Sequence, residues 1–208
     1  MTRTPVGRRA ALSGAVLLAG LVLSACGSSA DHSTMPGMGG DASAAPTSGA
    51  ASTFNNADAM FAQQMIPHHQ QAVAMAALAD SRAVDAEVKK LAAAIKAAQG
   101  PEITTMTGWL TAWGQPAPAA SMGGMDMPGM DMPGMMSDDD MAKLSAASGK
   151  NFDEEFLHMM IEHHQGAISM AQDEVAKGKN PDAMALAKQI ITSQQAEIGT
   201  MKTILARL

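Results

Sequence analysis

Two stretches decide the fold when set side by side: Met65-Ile66-Pro67-His68-His69-Gln70-Gln71-Ala72-Val73-Ala74-Met75-Ala76 and Met160-Ile161-Glu162-His163-His164-Gln165-Gly166-Ala167-Ile168-Ser169-Met170-Ala171. At an offset of 95, residues 56–110 align with residues 151–205 without a gap, and 20 of the 55 positions are identical. The match runs on past the histidines. Leu91, Ala92, Ile95, Gln99, Glu102, Ile103, Thr105, Met106 and Leu110 return as Leu186, Ala187, Ile190, Gln194, Glu197, Ile198, Thr200, Met201 and Leu205. A gapless match of this length marks an internal duplication, each copy being one supersecondary unit.

Composition points to helices. The 208 residues hold 20 Met, 4 Phe, 2 Trp and no Tyr, a poor supply of the aromatic residues that strands favour. The pattern predicts helices over 56–80, 85–113, 151–177 and 180–207. Asn56 and Asn151 stand at the openings of the first helix of each pair, and Asn151 with Glu154 has the spacing of a capping box. Asp85 and Asn180 suit the caps of the second helices, with Pro181 at a first helical position. Gly100-Pro101 is expected to kink its helix, because proline removes a donor and crowds the preceding turn. Four amphipathic helices of similar length imply an all-α four-helix bundle built from two duplicated helix pairs.

On a helical wheel, Phe61, Met65, Ile66, Ala72, Val73 and Ala76 form one stripe with His69 at its centre, and His68 and Met75 fall at its edge. The second copy places His164 at the centre and His163 with Met170 at the edge. All four histidines lie midway along their helices and should meet near mid-bundle. The partner helix carries Val88, Leu91, Ile95, Ile103, Met106 and Leu110 on a stripe that also includes Gln99 and Glu102; Gln194 and Glu197 repeat that arrangement. A carboxylate on a buried face needs a histidine, a proton or a metal beside it. Histidine–glutamate hydrogen bonds in a methionine-packed core would satisfy that need. So would a metal centre with His69, His164, Met65 and Met160 at one site and His68, His163, Met75 and Met170 at its neighbour. Glu102 and Glu197, flanked by Gln99 and Gln194, would then fix the imidazole tautomers. Recurrence of the whole set in both copies favours the metal.

Between the copies, residues 122–136 hold seven Met in fifteen positions, among them Met125, Met127, Met130, Met132 and Met135. The interspersed Pro and Gly keep the tract out of helices, so its thioethers are not expected to cover a core. Soft thioethers select Cu(I) or Ag(I), and imidazole also suits Cu(II), so the expected ion is copper in either state, bound by a chain that folds without it. Ser137-Asp138-Asp139-Asp140 has the look of a cap for a short extra helix.

The amino end reads as an export signal. Arg3, Arg8 and Arg9 precede an apolar run from Ala10 to Leu23, which is too short to span a bilayer. Leu23-Ser24-Ala25-Cys26-Gly27 resembles a bacterial lipoprotein cleavage site with Cys26 as the lipidated residue, and Arg8-Arg9 also fits twin-arginine export. The expected organisation is a signal peptide over 1–25, a flexible tether over 26–55, a helix pair over 56–113, a Met-rich linker over 114–150 and a second helix pair over 151–208. The net charge is −6. Without residues 1–25 the chain keeps 11 basic against 20 acidic residues, or −9, which argues against a nucleic-acid partner. A single Cys excludes a disulfide framework and a cysteine-based zinc site.

His68-His69-Gln70-Gln71-Ala72-Val73-Ala74-Met75-Ala76 and its second copy resemble the hallmark His-His-x-x-Ala-x-x-Met-Ala of bacterial exported proteins of the domain of unknown function 305. The resemblance covers both helix pairs and implies a ferritin-like four-helix fold with, for some members, copper binding and copper tolerance. The expected function is a non-enzymatic, membrane-tethered protein outside the cytoplasm that buffers copper or hands it to another copper-handling protein. A ferritin-like dimetal oxidase is a second possibility: Glu102, Glu197 and Glu155-Phe156-Leu157-His158 supply part of its ligand set, but Met60 and Gln63 occupy the matching first-copy positions. A metal-free helical scaffold is a third.

Replacing Cys26 with Ala should move the protein from the membrane fraction to the soluble fraction, since several acyl chains anchor stably where one does not. A variant that stays membrane-bound after a high-salt wash would exclude lipid anchorage at this residue.

Overall fold

A computed structural model describes residues 53–118 and 132–208. Its helices are α1 (Asn56–Arg82), α2 (Ala86–Ala112), α3 (Asp138–Ala146), α4 (Gly149–Lys177) and α5 (Pro181–Leu205). The protein is all-α: α1 packs on α2, α4 packs on α5, and the two pairs join chiefly through α1 and α4. The signal peptide, almost all of the tether and residues 119–131 lie outside the described residues.

Most caps sit where side-chain chemistry puts them. Asp85 accepts from the N–H groups of Glu87 and Val88, and Asn180 from those of Asp182 and Ala183, with Pro181 in the first turn. Ser137 and Asp140 form a capping box that opens α3. Two expectations need correction. The cap of α1 is Asn55, one residue before Asn56, in a capping box with Asp58. No capping box forms at Asn151, because α4 begins two residues earlier, at Gly149, and Glu154 pairs with Lys150 at 3.4 Å. Helix α2 continues through Pro101, and α1 likewise continues through Pro67.

Asp58 and Asp153 are equivalent residues of the two copies and both are fully buried. Asp58 accepts hydrogen bonds from the N–H groups of Lys179 (3.0 Å) and Asn180 (2.8 Å), in the loop between α4 and α5. Asp153 accepts from Val84 (3.3 Å) and Asp85 (2.9 Å), in the loop between α1 and α2. The start of α1 therefore lies against the end of α4 and the reverse, so these helices are antiparallel. With each pair itself a hairpin, α2 and α4 then run the same way, and the connection between them must travel back along the bundle. Its contacts follow α1 in order: Gln63 Nε2 donates to the Pro116 carbonyl, Gln71 Nε2 to that of Met136 and Arg82 to that of Ala147.

Two apolar cores fill the bundle. One gathers Met75, Ala76, Val88, Leu91, Ile95, Leu144, Phe152, Phe156, Met160, Met201 and Ile204; the other gathers Phe61, Met65, Met106, Leu110, Met170 and Ile190. Between the two cores each long helix contributes a pair of polar side chains: His68 and His69 on α1, Gln99 and Glu102 on α2, His163 and His164 on α4, Gln194 and Glu197 on α5. Met136 of the linker packs against the first core, so this one thioether does help cover apolar surface, contrary to the expectation for the Met-rich tract. The Gln71 amide, which also accepts from the Met136 N–H at 2.8 Å, holds it there.

Glu174, where the first copy has Ala79, is buried beside Asp58. Burial and then the neighbouring Asp58 push its carboxyl up to about 8. Burial also works against the Asp58 carboxylate, but N–H donors from Asn55, Asn180 and Lys179 hold it below its usual range. A carboxyl whose pKa rises on folding stabilises the fold fully below its unfolded pKa and loses that contribution as pH rises through the folded value. In urea unfolding, the stability of the parent relative to Glu174→Gln should therefore fall between about pH 4.5 and 8, the histidine titrations being common to both proteins. Parallel pH dependence in the two proteins would show that Glu174 ionises freely.

Candidate metal centre

The polar layer is built from equivalent residues of the two copies. His69 Nε2 donates to Glu102 Oε2 at 2.7 Å, and His164 Nε2 donates to Glu197 Oε2 at 2.6 Å. Both imidazoles are fully buried while the two carboxylates keep a small exposed fraction. With Nε2 carrying the proton, each ring directs the lone pair of Nδ1 into the interior. Expected at the stripe's edge, His68 and His163 prove fully buried, with ring centroids 3.7 Å apart where α1 crosses α4. The stripe is wider than a lone helix would show because the linker roofs it: His68 Nε2 donates to the Pro133 carbonyl at 3.1 Å.

Five ring nitrogens in this layer have no hydrogen-bond partner among the described residues: Nδ1 of His68, His69 and His164, and both nitrogens of His163. Gln99 Oε1 and Gln194 Oε1 are unpartnered as well. A buried polar atom left unsatisfied costs about 1–3 kcal/mol, so five together rival the net stability of a typical domain. A ligand for the imidazole lone pairs would relieve much of that cost. Burial, with the other imidazoles of the layer close by, lowers His68 to about 3 and takes His163 well below its ordinary value. Both rings are therefore neutral at physiological pH, the form in which imidazole binds metal.

Met65, Met75 and Met160 are fully buried and Met170 nearly so. Their distribution differs from the expected one: Met65 shares a core with Met170 and Met75 shares the other with Met160, because α1 and α4 are antiparallel. Thioethers thus approach the histidine layer from both sides. No three His, Cys, Asp or Glu side chains among the described residues are placed to hold a metal ion by themselves. A metal here would draw on methionine sulfur as well as imidazole. Met132 and Met135 lie half-buried on the linker; Met125, Met127, Met130 and Cys26 lie outside the described residues. Glu155 and His158, part of the expected oxidase set, line a surface cleft and do not point into this layer.

Sequence reasoning missed how the linker is seated. Gln71 and Gly166 are equivalent positions, and they differ because the linker docks at both. The Gln71 amide clamps Met136, whereas a Cβ at Gly166 would run into the Pro133 carbonyl. Gly134 adopts φ +75°, and a Cβ there would come within 2.6 Å of the Glu162 carbonyl. The clue was present as a mismatch inside an otherwise repeated motif. Gly166→Ala should lower stability by about 1–3 kcal/mol despite alanine's better helix propensity, because the added atom overpacks the contact. The Gln71 side-chain amide resonances should shift toward solvent-exposed values, and unchanged resonances with raised stability would show that the linker does not rest on Gly166.

The profile of the domain of unknown function DUF305 matches residues 58–205, well over half of the chain. Among solved structures, a DUF305 protein from Streptomyces coelicolor is 38% identical with a TM-score of 0.66, covering 73% of this chain and 93% of that one. A DUF305 fragment from Deinococcus radiodurans is 34% identical with a TM-score of 0.66, covering 74% and 98%. CopM in its Cu(II)-bound form is 37% identical with a TM-score of 0.62, covering 72% and 96%, and CopM has also been solved in Cu(I)-bound, Ag-bound and apo forms. A stretch of 53 residues is 45% identical to protein L153 of Acanthamoeba polyphaga mimivirus, and the match spans 35% of that protein's length.

Proposed function

The chain belongs to the DUF305 family, and we propose that it is an exported, lipid-anchored copper-binding protein that buffers or hands over Cu(I) and Cu(II) through its histidine and methionine side chains. The observation that carries this proposal is the set of five unpartnered imidazole nitrogens in a layer bounded by buried methionines. Neutral imidazole accepts either oxidation state and thioether favours Cu(I), so a mixed set retains copper through a change of charge. Glu102 and Glu197 act on the far side of His69 and His164, accepting the Nε2–H so that Nδ1 faces the ion. The solved CopM complexes with Cu(I), Cu(II) and Ag support copper as the ion, and its apo form agrees with a fold that stands without it.

The protein is not an enzyme in this proposal. His158 is exposed at the surface and the two inward glutamates are engaged by histidines, a poor match to the inward carboxylates of a dimetal oxidase. Anchorage at Cys26 would hold the bundle on the outer face of a bacterial membrane, and the Met-rich linker would offer soft ligands for capture or for passage to another copper-handling protein.

Glu102→Gln with Glu197→Gln should weaken copper binding about 10–100-fold while leaving helicity unchanged, the range seen when the groups supporting metal-bound histidines are removed. Replacing His68, His69, His163 and His164 together should abolish the tightest sites. Full-affinity Cu(II) binding by the four-histidine variant would make the layer a structural one.

A further inference from the structure

A cleft of about 420 Å³ lies on the surface between α4 and the docked end of the linker, separate from the histidine layer. Glu155, His158, Met159 and Glu162 line one wall, their spacing placing them on one face of α4. Met135 and Met136 line the other, with Asp140 at its margin. The linker wall is fixed, because both Gln71–Met136 hydrogen bonds are 2.8 Å and Gly134 sits against the α4 backbone. Glu155, His158 and Glu162 make no hydrogen bond or ion pair with any described residue, whereas Asp140 is engaged by Ser137 and Lys143. No Lys or Arg lines the cleft.

We infer that this cleft is a second, independent site for a soft monovalent ion, Cu(I), held by the His158 imidazole and the thioethers of Met135 and Met159 in the negative field of Glu155 and Glu162. The inference rests on the copper-binding proposal above but uses residues outside the mid-bundle layer, Met135 being one of the linker thioethers. The duplication separates the two: Met60, Gln63, Gln64 and Pro67 stand in the first copy where Glu155, His158, Met159 and Glu162 stand in the second. The cleft chemistry therefore belongs to one copy alone, unlike the mid-bundle layer. Hard divalent ions prefer carboxylate and carbonyl oxygens, and no three His, Cys, Asp or Glu side chains converge here to hold one. Imidazole with two sulfur ligands suits Cu(I), and the exposed position gives an ion direct access from solvent.

The test uses the full chain and Ag(I), a redox-inert stand-in for Cu(I), with the histidine ring resonances read by NMR and stoichiometry by calorimetry. In the parent, Ag(I) should shift the His158 ring signals. A variant carrying His158→Asn and Met135→Leu should melt as the parent does and bind one Ag(I) fewer. The His68, His69, His163 and His164 variant, if folded, should keep the His158 shift, and loss of mid-bundle binding there would leave the cleft assignment standing. The second variant Met159→Leu, which leaves the imidazole in place, should weaken the site at least tenfold. Parent stoichiometry in the His158→Asn, Met135→Leu variant would overturn the assignment. So would a His158 shift produced by Zn(II) and not by Ag(I), which would make the cleft an oxygen and nitrogen site. A parent that binds no Ag(I) anywhere would overturn both this inference and the proposed function.

Discussion

Asp58 and Asp153 each accept hydrogen bonds from the interhelix loop of the other copy, and the course of the chain depends on that exchange. Each carboxylate neutralises loop N–H groups that the helix ends leave without partners. Because the donors sit at the end of one helix and the acceptor near the start of its neighbour, α1 and α4 have no choice but to run antiparallel. The connection between the helix pairs must then run the length of the bundle, passing directly over the α1–α4 crossing. The roof on His68, the clamp on Met136 and the cleft beside α4 all follow from that one direction.

The histidine layer is where the bundle sacrifices apolar packing. Apolar residues pack above and below it on all four long helices, and none of its own side chains is apolar. Two imidazoles are oriented by carboxylates, one is held by a linker carbonyl, and the His163 ring lies tilted against that of His68. Such a layer is a poor way to stabilise a bundle and an effective way to keep neutral imidazoles ready for a ligand.

Much of this was legible in the sequence. The duplication, the caps at Asp85 and Asn180, the pairing of inward histidine with inward glutamate and the all-α class follow from periodicity and from the needs of buried charge. His68 and Met75 were assigned to an edge because a wheel drawn for one helix cannot see what lies over it. The cap at Asn151 was misplaced because α4 begins two residues earlier, at Gly149 after Ser148. Nothing in the sequence sets Asp58 and Asp153 apart from other acids near a helix start, because a loop N–H carries no side-chain signature. Glu174, alone in replacing an alanine with a buried carboxyl, was overlooked for the opposite reason, since its environment exists only once α1 is packed beside it.

The two-fold relation between the helix pairs bears on how such a chain is assembled. Each hairpin offers the other nearly the same face, with the histidines at its centre and an acid at its rim, so one hairpin alone carries what a symmetric homodimer would require. Joining two copies head to tail needs only a strap of sufficient length. Once joined, the strap can lie across just one side of the axis. From that moment the two halves are under different demands, and Gln71 and Gly166 are the places where identical ancestors would have had to part.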